Sequence, residues 1–473
     1  MITLYTPATG FPDLEVKIAY GLARVGIEAG YEPIIVPYGG FYGVKIEGEL
    51  AKLDNTFNIL ARRILSSDYI PRSTPGITGR SAEALKVKDS EHFEIGIFNT
   101  IVETAEHKKS ETFCRHNVKN KVSNVLGLTA SATTGVLCKR DGLDITFYQG
   151  QPRRPTEPRD ICKTCALLSL LGMWYASFIF SVADKEVIVI PIPNQEISGS
   201  KLQEIFSLQQ HVRKQWFNQN IPRILIPLVF LSKIPSSADI LKEFDLFVAV
   251  LSRQQGYHVD GLFLIEINNY LDFISKSSYN IATIDNMINT FGNKRFPKES
   301  FDSLIELNNA IYYHTKDSLL KFARLYVFET TPKEGNWTNF LYPETTKYLL
   351  KEVAMIPQNI IENKSLQSLA RTLRYFIRER KYGYADDIRN ARKDARDFEE
   401  TIAKMLREGE LRRVQQEQEK QAGKEVKNWI YLPKEDEIKE VFRLANEDFE
   451  STKLALVMLA FSFPTKEGEE DVK

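Results

Sequence analysis

Apolar residues at Val16, Tyr20, Ala23 and Ile27 recur in steps of three and four. That spacing predicts a helix over 14–30, with one face turned to a core. EPIIVPYGGFYGVKI (32–46) then reads as strand, glycine turn and strand. FEIGIF (93–98), LDITFY (143–148), VIVIPI (187–192), RILIPLVFL (223–231), LFVAVLS (246–252) and GLFLIEI (261–267) predict further strands. The last two pair across RQQGYHVD, where Gly256 supplies the turn. After about residue 268 the alternation gives way to helical periodicity. Helices are expected near 283–291, 299–328, 344–355, 364–408, 434–449 and 451–462, punctuated by Pro332, Pro343, Pro357, Pro433 and Pro464. RRVQQEQEKQAGKEVK (412–427) is polar on every side and reads as a solvated helix end or a flexible connection. The expected fold class is an α+β N-terminal part with a zinc-knuckle insertion (1–275), followed by an all-α C-terminal part (276–473).

One stretch breaks the pattern. From Ala166 to Ala183 no residue is charged, which reaches the lower limit for a membrane span. Ser169, Gly172, Ser177 and Ser181 dilute it, and Trp174 sits in its middle rather than at an interface. A central helix covered on all sides, running into the strand VIVIPIP, accounts for it better. The N-terminus has neither a basic region nor an apolar core before a cleavage site, and four cysteines in 473 residues are no disulfide scaffold. The expected location is cytoplasmic, with no membrane partner.

The composition is that of a globular chain, 43 % hydrophobic and 26 % charged, with zero net charge. A polyanion-binding surface must therefore come from local segregation. Two features offer chemistry. The first is CKTC at 162–165, at the start of the central helix, where unpaired N–H groups favour a thiolate. Cys162 and Cys165, with Cys138 in a turn-rich CKRDG loop and Cys114 in FCRHN, make a four-thiolate set for a structural zinc ion. His116 is a substitute for Cys114. Four unrelated buried cysteines, or a disulfide, are the plainer readings.

The second is SLARTLRYFIRERKYGYADDIRNARKDARDF (368–398). Arg371, Arg374, Arg378, Lys381, Arg389, Arg392 and Arg396 follow at steps that one helix face would share, over roughly 38 Å at 1.5 Å per residue. Between 364 and 413 there are 14 Lys/Arg and 9 Asp/Glu. Gly383 is the expected place for a bend or a break. The competing reading is a solvated helix laced with ion pairs to Glu379, Asp386, Asp387, Asp394 and Asp397. Arginine rather than lysine favours phosphate, which its planar fork grips. Lys139, Arg140, Arg153 and Arg154, with Arg159 and Lys163, add a second basic feature beside the cysteines.

No Walker loop, dinucleotide fingerprint, HExxH or GxSxG occurs, and His92, His107, His211, His258 and His314 have no partner at triad or ligand spacing. No enzymatic activity is expected. The glycine turns YGGFYG (38–43) and STPGITGRS (73–81) match no nucleotide-binding loop.

LYTPATGFPDLEVKIAYGLARVGIEAGY, LTASATTGVLCKRDG, ICKTCALLSLLG and ARTLRYFIRERKYGYADDIRNARKDARDF together resemble the large subunit of the archaeal type I-A CRISPR interference complex (Cascade). The related type I-G large subunit carries paired Cys-x-x-Cys motifs, whereas this chain has one. The resemblance implies a non-catalytic subunit in antiviral defence. It would recognise the PAM on double-stranded target DNA while guide crRNA reads sequence by pairing, and would help recruit the helicase-nuclease. Its partners would be the Cascade backbone and small subunits. From the residues themselves, the stripe from Arg371 to Arg396 is the expected backbone contact, with the PAM-reading loop in the N-terminal half. Two other classes remain: a stand-alone zinc-stabilised nucleic-acid-binding protein or regulator, and a nuclease.

Overall fold

A computed structural model describes residues 1–65, 85–99, 121–123, 147–148, 151–152, 160–182, 185–212, 221–234, 239–253, 257–291, 301–330, 339–393, 396–426 and 428–462. The chain divides into two compact units: Met1–Arg223 with Ser236–Asn268, and Ile224–Pro235 with Asn269–Lys473.

The first unit mixes helices with small antiparallel sheets. β1 (Ile2–Tyr5), β2 (Ile34–Pro37) and β3 (Tyr42–Ile46) form one sheet in the order β1-β3-β2, with Leu4, Val44 and Ile35 in register and buried. Gly39 makes the β2–β3 turn with φ 81°, a conformation that a side chain disfavours. Helix α1 (Pro12–Glu28) starts at a proline and lies beneath this sheet. Helix α2 (Leu50–Leu65) packs beside it. Short strands β4 (Lys121–Ser123) and β7 (Asp160–Cys162) pair, as do β5 (Phe147–Tyr148) and β6 (Gln151–Pro152).

The uncharged stretch becomes helix α3 (Lys163–Ala176), then β8 (Phe178–Val182) and β9 (Lys185–Pro193). The helix is buried on almost every side, as its lack of a polar face requires. No described helix is long and apolar enough to cross a membrane. Two glycines let α3 and α1 touch backbone to backbone. A Cβ on Gly172 would land on the Lys17 carbonyl, and one on Gly21 on the Leu168 carbonyl. After α4 (Gly199–Val212), strands β10 (Phe244–Arg253) and β11 (Tyr257–Ile265) complete a second sheet, β11-β10-β9-β8. The Tyr20 hydroxyl donates to the Pro191 carbonyl at 2.6 Å and ties α1 to β9.

Two expected strands are absent. FEIGIF contains a 3-10 turn, Ile95–Phe98. The Asn58 side chain satisfies both backbone groups of Phe93, at 2.8 and 3.0 Å, and so replaces a neighbouring strand. RILIPLVFL forms a 3-10 turn and helix α5 (Ile226–Ser232) in the second unit. Pro227 sits in its first turn, where a fixed φ suits a helix, and all seven residues are buried, so no periodicity shows.

The second unit is helical: α6 (Asn268–Lys276), α7 (Ser278–Phe291), α8 (Asp302–Tyr313), α9 (Lys316–Thr330), α10 (Pro343–Tyr348), a π turn at Leu349–Val353, α11 (Gln358–Ile361), α12 (Lys364–Arg378), α13 (Gly383–Asn390), α14 (Asp397–Gln421), α15 (Glu435–Glu447) and α16 (Phe449–Phe461). The segment expected at 299–328 is two helices, divided where His314 takes φ 50° and its N–H returns to the Ala310 carbonyl. The α16 helix is buried at every residue but Glu450 and plays the part that α3 plays in the first unit. Helices α12 and α15 cover it.

Candidate nucleic-acid interface

The basic segment is not one helix. Asn363 caps α12 by accepting the Leu366 N–H at 3.0 Å, and Leu366, Leu369, Leu373 and Phe376 bury its inner face. The helix ends at Arg380, φ 63°, in a Schellman turn: Lys381 N–H bonds the Phe376 carbonyl at 2.8 Å and Arg380 N–H bonds the Ile377 carbonyl at 3.0 Å. Gly383 opens α13 instead of making the break. A second interruption follows α13, and Arg396, φ 54°, precedes α14. The continuous 38 Å stripe therefore does not form. The side chains near the two breaks no longer obey a single helical phase.

The seven stripe residues have separate fates. Arg374 donates to the last carbonyls of α16, Leu459 at 2.6 Å and Ala460 at 3.2 Å. Burial, then repulsion from Arg378 and Arg371, pushes its pKa down to about 10. Arg371 lies over the Tyr431 ring, 5.6 Å from its centre. Lys381 pairs with Glu408, which also accepts from the Tyr384 hydroxyl, and these bonds hold the Glu408 carboxyl below its ordinary range. Arg389 pairs with Asp386 at 2.8 Å and is nearly buried. Arg378, Arg392 and Arg396 are exposed and pair with no carboxylate among the described residues. So does Lys393.

Two exposed groups of cations thus flank α13: Arg378, Arg380 and Lys381 on one side, Arg392, Lys393 and Arg396 on the other. The helix between them has eight residues, so the groups are roughly 12 Å apart along its axis. Helix phase had left out Arg380 and Lys393. The α13 terminus is held from an unexpected quarter. Lys453, the one cation inside α16, reaches the Ala391 carbonyl at 3.2 Å and Glu450 at 2.9 Å.

At the cysteine motif, Cys162 caps α3. Its Sγ accepts the Cys165 N–H at 3.3 Å, and both thiols are buried. Lys163, between them, donates to Glu91 at 2.6 Å and to the Lys86 carbonyl at 2.7 Å. It is engaged inside the fold. Cys114, Cys138, His116, Lys139, Arg140, Arg153, Arg154 and Arg159 lie outside the described residues. Among the described residues no three His, Cys, Asp or Glu side chains form a metal-binding group.

Comparison with protein-family models gives no match, and comparison with curated proteins gives none that is significant.

Proposed function

We propose that this chain is a non-catalytic, DNA-binding subunit of the type I Cascade large-subunit kind, whose helical unit grips duplex phosphates. One observation carries the reading. Six cations bracket α13 on the surface, and four of them have no described carboxylate to neutralise them. An ion-pair-laced solvated helix would pair them; of the carboxylates it would use, Asp394 lies outside the described residues. Cation groups at the two ends of a helix roughly 12 Å long suit phosphates three to four nucleotides apart along one strand, at ~3.4 Å each.

The zinc proposal is narrower. Two thiols in the first turn of α3 suit half of a tetrahedral thiolate site, and Cys114 and Cys138 are the proposed remainder. In that arrangement the ion would pin the loops that carry Arg140 and Arg153, the proposed PAM-reading side. PAM recognition, recruitment of a helicase-nuclease and association with crRNA-bound backbone subunits belong to the same proposal.

The test is duplex binding by the full chain carrying R378E, R392E and R396E together. Arg374 is left unchanged because it holds α16. The expected result is at least about tenfold weaker binding near 50 mM salt, with a flatter salt dependence. Unaltered affinity and an unaltered salt slope would remove the cation groups from the interface.

A further inference from the structure

Beyond α14 the chain runs through Trp429, Ile430 and Tyr431, and several buried groups hold it in place. Gln416, buried in α14, donates to the Asn428 carbonyl at 2.7 Å and accepts the Ile430 N–H at 3.1 Å. Thr372 of α12 donates to the Tyr431 carbonyl at 2.7 Å. Gly409 leaves room for the inward side chains. A Cβ there would stand 3.1 Å from Ile430 and 2.7 Å from Leu432. An amide, a hydroxyl and a missing side chain therefore fix one short segment, although that segment contributes only Ile430 to the core.

The outward side chains are large and apolar. Trp429 is 40 % exposed and Tyr431 36 %. They stand on either side of the buried Ile430 in the sequence. A cation accompanies each ring: Lys420 Nζ is 5.4 Å from the Trp429 ring centre, and Arg371 Cζ 5.6 Å from that of Tyr431. One nearby carboxylate, Glu437, is turned to the Ser368 hydroxyl at 2.8 Å and the Lys434 N–H at 2.6 Å.

We infer that Trp429 and Tyr431 form a stacking platform for two consecutive bases of single-stranded nucleic acid, with Arg371 and Lys420 taking the adjoining phosphates. Bases stack on aromatic faces without regard to sequence, and flanking cations hold the backbone. The backbone hydrogen bonds pre-order the platform, so the ligand meets rings already in place. The inference rests on the nucleic-acid reading above. It adds a second, single-strand site separate from the duplex-facing cations around α13.

The test measures binding of labelled oligothymidylate and oligouridylate of about 20 nucleotides, and of a duplex of equal length, to the full chain. W429A/Y431A should weaken single-strand binding about tenfold or more and leave duplex affinity within about twofold, while W429F keeps most of the single-strand affinity. The two single strands separate DNA from RNA as the source, with oligodeoxyuridylate as the control for the thymine methyl group, since it differs from oligouridylate only in the 2′-hydroxyl. Equal single-strand affinity in wild type and W429A/Y431A overturns the platform but leaves duplex binding standing. Wild type that binds neither form overturns both readings. A readout independent of the alanine variant's folding is tryptophan emission. Oligothymidylate should quench the wild type and quench W429F less, and equal quenching of the two overturns the assignment.

Discussion

Arg374 Nη2 lies 2.6 Å from the carbonyl oxygen of Leu459, so an arginine of α12 serves as the C-terminal cap of α16. The last carbonyls of a buried helix have no partners of their own, and a charged donor is the strongest available. R374A is expected to lower the stability of the helical unit by about 2–4 kcal/mol, through two lost charge-assisted bonds and the packed stem. Urea unfolding followed by circular dichroism measures it. R374K should recover part of the loss. Duplex affinity of the folded variant should match wild type, because this guanidinium faces inward.

The Gly172–Lys17 approach makes a sharper prediction. A Cβ at position 172 has nowhere to go, since its neighbour is the α1 backbone and not a flexible side chain. G172A should cost more than about 3 kcal/mol, seen as lost soluble yield or a large drop in Tm. Gly40 has open space around it, so G40A should stay within about 0.5 kcal/mol of wild type.

Glu329 accepts the Ser303 N–H at 3.0 Å and also its hydroxyl, at the start of α8. Burial pushes its carboxyl up to about 7, against the Ser303 bonds that pull it down. A raised carboxyl stabilises the fold fully below the unfolded value near 4.5, and that contribution is lost as pH rises to about 7. E329Q cannot ionise. Its Tm relative to wild type should therefore climb between pH 5 and pH 8, by an amount worth about 1–2 kcal/mol after solvent screening. A difference that stays constant or falls over that range would contradict the assignment.

Much of the first unit was legible. The β10–β11 pairing follows from two apolar runs and the β2–β3 hairpin from apolar runs around a glycine turn, and α3 from an uncharged run diluted by serine and glycine, whereas Gly256, the expected β10–β11 turn residue, lies outside the described residues. RILIPLVFL has the look of a strand because a continuous apolar run carries no period, and the position of Pro227 decides only once the helix start is known. The basic stripe failed for another reason. Its break was expected at the one glycine, Gly383, but arginine occupies the left-handed position. The pairings of Lys381 with Glu408 and of Lys453 with the Ala391 carbonyl join positions 27 and 62 residues apart, beyond any local pattern. NWIYLP does carry a strand-like alternation, and that was the available signal for Trp429 and Tyr431.

The cysteine motif allows a substitution that separates capping from metal binding. Serine caps a helix at least as well as a thiol, whereas alanine loses about 1 kcal/mol. C162S preserves the bond to the Cys165 N–H in kind and removes a thiolate ligand. With a bound zinc ion, C162S should lose the metal, by elemental analysis, together with several degrees of Tm. C162A should then be only slightly worse. If C162S matches or exceeds wild type in Tm while C162A falls, capping is the whole role of this cysteine.

Both breaks in the basic segment use arginine where glycine would be easier. Arg380 has φ 63° and Arg396 φ 54°, and the left-handed region costs a side chain roughly 1–2 kcal/mol that glycine avoids. Such local strain is retained where the side chain has other work. Here both arginines are exposed, one in each cation group flanking α13. R396G should raise stability by about 1 kcal/mol, because the backbone conformation is kept and its strain relieved, and R380G by less, because Arg380 also has a partner to lose. The same double variant should bind duplex DNA about tenfold less tightly near 50 mM salt, with a smaller salt slope. Calorimetric Tm and a salt titration of duplex affinity measure the two effects on one preparation. Higher stability with undiminished binding would mean that the strained arginines serve only the chain's turns, and would leave Arg378, Arg392 and Lys393 to hold the phosphates alone.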